Sequence, residues 1–272
     1  MQPATTSNAL RESVRQTGCE AWYFRPELIR DDDIWLASYP RSGSHFVRFI
    51  LVSARHYLRH RSLPEDLSGM KTIPDVHGGH LEFADGPPRI IKTHFPLDPR
   101  YRRIIHLIRD PRDVVISYFH YSRGLPHLFR EPLAKDYSFM EFLDVFLRGS
   151  VWPGDIREHS RSYSEHSGDV DYTCIRYESL LEDPLTEYRR LLKASGIDLG
   201  AGKLEALIAH TSFDNMRRLH RPDTARAGMV ESNPVYIMRK GRAGQHVQVL
   251  RERERERIMA ELGPYLRDYG YG

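Results

Sequence analysis

The sequence predicts an α/β domain: a mainly parallel sheet with helices on both faces. Three observations predict it. Short apolar runs at Ile34–Tyr39, Arg89–Thr93, Arg103–Leu107 and Tyr172–Tyr177 have strand length. Helix-period segments separate them, and that alternation marks parallel strands joined by helical crossovers. The first strand also runs straight into a turn of small and polar residues, Arg41-Ser-Gly-Ser-His45, at the mouth of a helix. The 272 residues suffice for one such domain over residues 31–272, behind a polar arm of residues 1–30.

Each element follows from local chemistry. In the arm, Trp22, Tyr23 and Phe24 are the only concentrated apolar group, and they read as an anchor. Ser44–His60 is helical, with Phe46, Val47, Phe49, Ile50 and Val52 on its apolar face. Residues 62–88 are rich in Pro, Gly and Asp and read as loop. Asp110 is an N-cap, and Pro111 takes the first helical position, where its missing N–H costs nothing. Phe139–Leu147 is an amphipathic helix, and Leu185–Ala194 and Gly202–His210 are two more, with Gly196 stopping the first. Residues 233–245 are Gly-containing and basic and read as a loop. Arg251–Arg257 alternates Arg and Glu. Its i,i+3 pairs are opposite in sign and its i,i+4 pairs alike, so terms of about a few tenths of a kcal/mol cancel and leave a solvated helix face.

Composition excludes several classes. A net charge of +3, from 40 basic and 37 acidic residues, gives no global case for nucleic acid. Cys19 and Cys174 are far apart and lack CxxC spacing, which reads as free thiols in a reducing compartment. The first residues lack the basic and apolar regions of a secretory signal, and no apolar run reaches the roughly 20 residues that span a bilayer. A cytoplasmic protein without membrane attachment is expected.

Three segments carry chemistry. A strand feeding Arg41-Ser-Gly-Ser-His45 into a helix aims backbone N–H groups, and the positive end of the helix dipole, at one point suited to a phosphate-like anion. The loop is no Walker A, which needs GxxxxGK[ST], and no apolar strand ends in an Asp fit to hold Mg²⁺. The bland alternative is an ordinary strand-to-helix turn. Next, Arg89-Ile-Ile-Lys-Thr-His-Phe-Pro96 brings Lys92 and His94, two apart and so on one face, to a strand's C-terminal end. His is a general base near neutral pH, and a neighbouring Lys offers a cation for developing charge. Alone, a structural His would explain this tripeptide better. Third, Arg109 ends a strand and Ser117 follows eight residues on, about two helical turns away, so the two could grip one phosphate. Alternatively Arg109 pairs with Asp110 or Asp113, and Ser117 is a surface hydroxyl. His77-Gly-Gly-His80 has metal-ligand spacing but no third ligand nearby, so no metal is expected there. His45 either contacts the anion or faces solvent.

Together the segments resemble the nucleotide-dependent sulfotransferases of the cytosolic, small-molecule type. Tyr39-Pro-Arg-Ser-Gly-Ser-His-Phe46 is similar to their YPKSGTTW loop, and Lys92-Thr-His-Phe-Pro96 to KTHLP. Arg109 and Ser117 match their 3′-phosphate segment. Tyr177-Glu-Ser-Leu-Leu-Glu-Asp-Pro184 resembles YEDMKEDP, Thr211-Ser-Phe-Asp-Asn-Met216 resembles TSFxxM, and Met238-Arg-Lys-Gly-Arg-Ala-Gly244 resembles the start of RKGxxGDW. The likeness spans residues 34–245.

The resemblance implies a P-loop-like, three-layer α/β fold. It implies transfer of sulfonate from 3′-phosphoadenosine 5′-phosphosulfate (PAPS) to a hydroxyl or amine of a small molecule, without metal, leaving adenosine 3′,5′-bisphosphate (PAP). His94 would be the base, with Lys92 and Arg41 stabilising charge. Arg41, Ser42, Gly43, Ser44 and His45 would cradle the 5′-phosphosulfate. Arg109, Ser117, Arg239, Lys240 and Gly241 would hold the 3′-phosphate. Phe46 and Phe213 would sandwich adenine, with Tyr177, Thr211, Ser212 and Met216 nearby. The chain departs from the pattern in places: Arg41 stands for Lys, Phe46 for Trp, and Gln245-His246 for Asp-Trp. The family's dimer segment, KxxxTVxxxE in form, has no counterpart in His246–Glu256, so no dimer is carried over. The acceptor pocket would draw on Trp22–Arg25, residues 62–88 and Tyr121–Tyr137. Two rival readings are a Mg²⁺-dependent P-loop kinase and a non-catalytic module that binds adenosine bisphosphate.

Overall fold

The computed structural model describes residues 29–77, 88–219 and 241–272. Its four strands are β1 (Ile34–Ser38), β2 (Ile90–Thr93), β3 (Arg103–Ile108) and β4 (Asp171–Arg176). They pair in the order β2-β1-β3-β4, every pair parallel. Every residue of β1 is buried, as a central parallel strand covered on both faces requires.

The helices are α1 (Ser44–His60), α2 (Pro111–Ser122), α3 (Phe139–Leu147), α4 (Ile156–Ser164), α5 (Tyr177–Glu182), α6 (Pro184–Ala194), α7 (Ala201–His210), α8 (Phe213–Leu219), α9 (His246–Val249) and α10 (Glu252–Asp268). Strand side chains alternate between two layers of them. Ile34 and Leu36 share a core with α1, α6 and α7. Trp35 and Ala37 point the other way, toward Ile91, Ile104 and Tyr163 of α4. Trp35 stacks on Tyr101 with centroids 3.8 Å apart. Tyr39, just past β1, sits in a further apolar cluster with α2, α3 and α10.

The helix starts obey simple capping chemistry. Asp110 accepts the Arg112 N–H at 2.9 Å, with Pro111 at the first position. Ser138 and Glu141 form a capping box at α3. Gly196, at φ 66, follows α6. In α10, Glu254 is buried and accepts the N–H of Arg251 at 2.8 Å, while Arg251, Glu252, Arg253, Arg255, Glu256 and Arg257 are exposed.

Two stretches hold more structure than their sequences announce. Helix α4 buries Ile156, His159, Ser160 and Tyr163. Its inward face is largely imidazole, hydroxyl and phenol, so aliphatic periodicity does not reveal it. Within residues 62–88, Ser68–Thr72 is a 3₁₀ turn, and the next residues add a strand-like edge to β2. There the Lys92 N–H donates to the Pro74 carbonyl at 2.8 Å, and the Val76 N–H to the Lys92 carbonyl at 3.1 Å.

Candidate active site

The anion loop lies where β1 meets α1. Arg41 has φ 71 and Gly43 φ 103, so the chain turns through two left-handed residues. A Cβ at Gly43 would lie 2.4 Å from the Tyr177 ring, so only glycine fits. The first turn of α1 contains no acidic residue. Its outward-pointing N–H groups and dipole therefore favour an anion unopposed. Ser42 and Ser44 are buried within the loop, and His45 is half-buried.

Cations from distant motifs meet here. Arg41 Nε donates to Ser117 Oγ at 3.1 Å, and its guanidinium lies 4.7 Å from the Tyr121 ring centroid. Arg109, at the end of β3, lies over the Tyr177 ring at 4.4 Å. It donates to the carbonyls of Arg41 at 3.2 Å and Arg242 at 2.9 Å, and it meets Asp113 at 3.4 Å. Asp113 in turn accepts the His246 backbone N–H at 2.9 Å and lies 3.0 Å from its Nδ1. So His246, where the family has Trp, ties the segment after Gly241 to α2. The resemblance gives Arg41 to the 5′-phosphosulfate and Ser117 to the 3′-phosphate, and the fold sets these two side chains in contact at the mouth of the loop.

His94 is the first residue past β2. The β1–β2 register pairs Ala37 with Thr93, which sets Ser38 beside His94. His94 Nδ1 lies 2.6 Å from the Ser38 carbonyl oxygen. A carbonyl only accepts, so Nδ1 carries the proton and Nε2 keeps a lone pair. Burial, with Lys92 and then His77 adding to it, holds the His94 pKa well below the usual imidazole value. Lys92 is buried and ion-paired with Asp75. Burial pulls the Lys92 pKa down and Asp75 opposes that pull. His77 Nε2 accepts the His94 backbone N–H at 2.8 Å. Trp152 stands edge-on to both imidazoles, at 5.7 Å from His94 and 4.8 Å from His77. Sequence reasoning missed Asp75 and His77 as partners of this pair. The available signal was their spacing, Asp-x-His, which repeats that of Lys92-x-His94.

Aromatic groups flank the loop. Phe46 meets Tyr177 edge-on at 6.2 Å and Tyr188 at 6.5 Å. Phe213 opens α8 beneath Gly241, where an added Cβ would lie 2.1 Å from the ring. Ser212 is exposed. Thr211 is fully buried, its hydroxyl donating to the Leu207 carbonyl at 2.8 Å and meeting Tyr188 Oη at 3.0 Å. Met216 is buried in the core shared with α1. Thr211 and Met216 therefore face inward and hold up this wall, because the end of α7 and the start of α8 need capping and filling. Arg239, Lys240, Trp22–Arg25, His80 and Cys19 lie outside the described residues. Cys174 is a free thiol. Among the described residues, no helix is long and apolar enough to cross a membrane.

Fold and loop define the class: a P-loop-like α/β protein with a left-handed, glycine-containing strand-to-helix loop at the C-terminal edge of its sheet. The chain belongs to the sulfotransferase family, whose Sulfotransferase domain model matches residues 31–269. It is 28% identical over 254 residues to the amine sulfotransferase of Oryctolagus cuniculus, covering 86% of this chain and 81% of that one. It is 26% identical over 262 residues to sulfotransferase 1A1 of Canis lupus familiaris, covering 88% and 85%. The mouse sulfotransferase SULT7A1, solved in complex with PAP, superposes with a TM-score of 0.61 at 25% identity, covering 86% of this chain and 85% of that one. Retinol dehydratase in complex with androsterone and inactive cofactor PAP shares the fold at a TM-score of 0.70 and 20% identity, covering 96% and 85%.

Proposed function

We propose that this enzyme transfers the sulfonate group of PAPS to a hydroxyl or amine of a small-molecule acceptor. One observation carries the reading. His94 is buried with its Nε2 lone pair free of the proton, on the sheet edge that also presents Lys92, Arg41, Arg109 and the open first turn of α1. The family match and the PAP-bound mouse neighbour support it. The residues suit the nucleotide: a cradle free of acidic groups, a glycine packed against Tyr177, and cations at both ends.

In this reading His94 Nε2 takes the acceptor's proton as the acceptor oxygen or nitrogen bonds to sulfur. The bond between sulfur and the 5′-phosphate oxygen breaks, and that oxygen keeps the electron pair. Lys92 and Arg41 offset charge on the sulfonate and on that oxygen, helped by the N–H groups of Gly43, Ser44 and His45. Arg109, Ser117, Arg239, Lys240 and Gly241 hold the 3′-phosphate. Phe46, Tyr177 and Phe213 enclose the adenine. Fixed cations and loop N–H groups here do what a divalent ion does for a kinase. The same reading keeps the enzyme in the cytoplasm.

The test is transfer of labelled sulfonate from PAPS, in EDTA, to a panel of phenols, alcohols and amines. Amines belong in the panel because a relative is named an amine sulfotransferase. Labelled product in EDTA is the expected result. Mg²⁺-dependent phosphate transfer from ATP would favour a kinase, and PAP binding without turnover would favour a non-catalytic module.

A further inference from the structure

Residues 74–77 run parallel to the end of β2 and repeat its pattern. Asp75 bridges Lys92 in parallel register, fixed by the backbone bonds at Pro74 and Val76. That register sets residues 75 and 77 beside 92 and 94, with their side chains on one face. The side chains complete the match. The Asp75 carboxylate bonds the Lys92 ammonium. The His77 ring accepts the His94 N–H and lies 5.4 Å from the His94 ring, with planes 10° apart. Lys92 and His94 thus each have a partner of their own on one short edge segment.

Both partners answer a physical need. Lys92 is 7% exposed and feels two more cations, Arg48 of α1 and Arg41 of the loop, besides the imidazoles of His94 and His77. A buried ammonium among cations sheds its proton unless a carboxylate faces it, and Asp75 is the carboxylate that does. The His94 N–H lies just past β2 and takes its acceptor from the His77 side chain. Accepting at Nε2 leaves the proton of a neutral His77 on Nδ1.

We propose that Asp75 and His77 are positioning residues for the transfer: Asp75 fixes the Lys92 ammonium, and His77 fixes the backbone and ring of His94. The inference rests on the sulfotransfer roles of Lys92 and His94. Four variants test it: Asp75→Asn, His77→Gln, His77→Leu, and Asp75→Asn in a Lys92→Met background. The readouts are turnover of labelled PAPS with a phenol and an aryl amine, PAP affinity by calorimetry, and the NMR titration of the Lys92 Nζ. In Asp75→Asn, kcat falls about tenfold or more while PAP affinity stays within about threefold. The Lys92 titration and the alkaline limb of the rate profile both move to lower pH. In the Lys92→Met background the same change adds less than about twofold, because its partner is gone. His77→Leu loses about tenfold or more, and His77→Gln, which restores an acceptor, recovers most of it.

An unmoved Lys92 titration in folded Asp75→Asn overturns the first half of the proposal. So does an undiminished loss in the Lys92→Met background. Equal losses for His77→Gln and His77→Leu overturn the second half. A wild-type enzyme that moves no sulfonate defeats the sulfotransfer reading instead. The Lys92 titration, and hydrogen exchange at the His94 amide, still decide the two pairings.

Discussion

Arg41 is held at φ 71, hydrogen-bonded to Ser117 and stacked near Tyr121. A lysine keeps the charge but has neither Nε–H nor a planar face for these contacts. Arg41→Lys should therefore weaken PAP binding about tenfold in a calorimetric titration. Affinity equal to wild type would mean that charge alone matters. Gly43→Ala should do more. It places a Cβ against Tyr177 and imposes a left-handed alanine, which costs on the order of 1–2 kcal/mol before any clash. Both the melting temperature and PAP affinity should drop. At this scale the sequence was readable where structure is local: the strand-to-helix turn at Arg41–His45, and Lys92 and His94 side by side at the end of β2. Asp75 and His77 were not, because their meaning comes from a register across the 17 positions that separate them from Lys92 and His94. Read in sequence, His77 stood beside His80 at metal-ligand spacing but without a third ligand, and nothing local pointed from it to His94.

Helix starts show how much an element owes to one side chain. Asp110 is 4% exposed, caps α2, and also receives the Arg112 guanidinium at 2.7 Å. Arg112 in turn donates to the Tyr271 carbonyl at 2.6 Å, so the cap joins α2 to the last residues of the chain. Asp110→Ala should cost about 2 kcal/mol in urea unfolding, the upper end for a cap. Ser138→Ala, in an exposed capping box, should cost about 1 kcal/mol or less. Equal costs would show that the Arg112 bridge adds nothing. The Asp110 cap was legible because Asp-Pro is a local signal, whereas the Ser138–Glu141 box at α3 comes from the structure. Helix α4 was not, since His159, Ser160 and Tyr163 disguise its buried face. The four strands announced themselves as apolar runs, but the order β2-β1-β3-β4 did not, because strand order depends on how crossover helices pack.

Across the whole molecule, buried imidazoles tie stability to pH. Burial lowers the pKa of His94 and His106 well below the usual value, and it pushes His77 and His159 down to about 3. In the unfolded chain each returns to about 6.5. Between those values the unfolded state binds more protons, so stability is complete above about pH 6.5 and declines as pH falls. Each of these histidines pulls in the same direction, so the decline steepens as pH drops further below about 6.5. Urea midpoints should fall steeply between about pH 6 and pH 5, whereas a flat profile down to about pH 4 would contradict this. The Asp75 carboxyl, whose pKa the Lys92 pairing drives down, adds its own loss only below about pH 4. The same burial keeps His94 unprotonated, and so ready to act as a base, at pH values where an ordinary imidazole is charged. The most direct test of that role compares wild type with His94→Ala for transfer of labelled sulfonate from PAPS in EDTA, alongside PAP affinity. The expected result is a loss of ~10²–10⁴-fold in rate with PAP affinity nearly unchanged. Turnover near wild type in His94→Ala, or wild-type transfer that requires added metal, would contradict it.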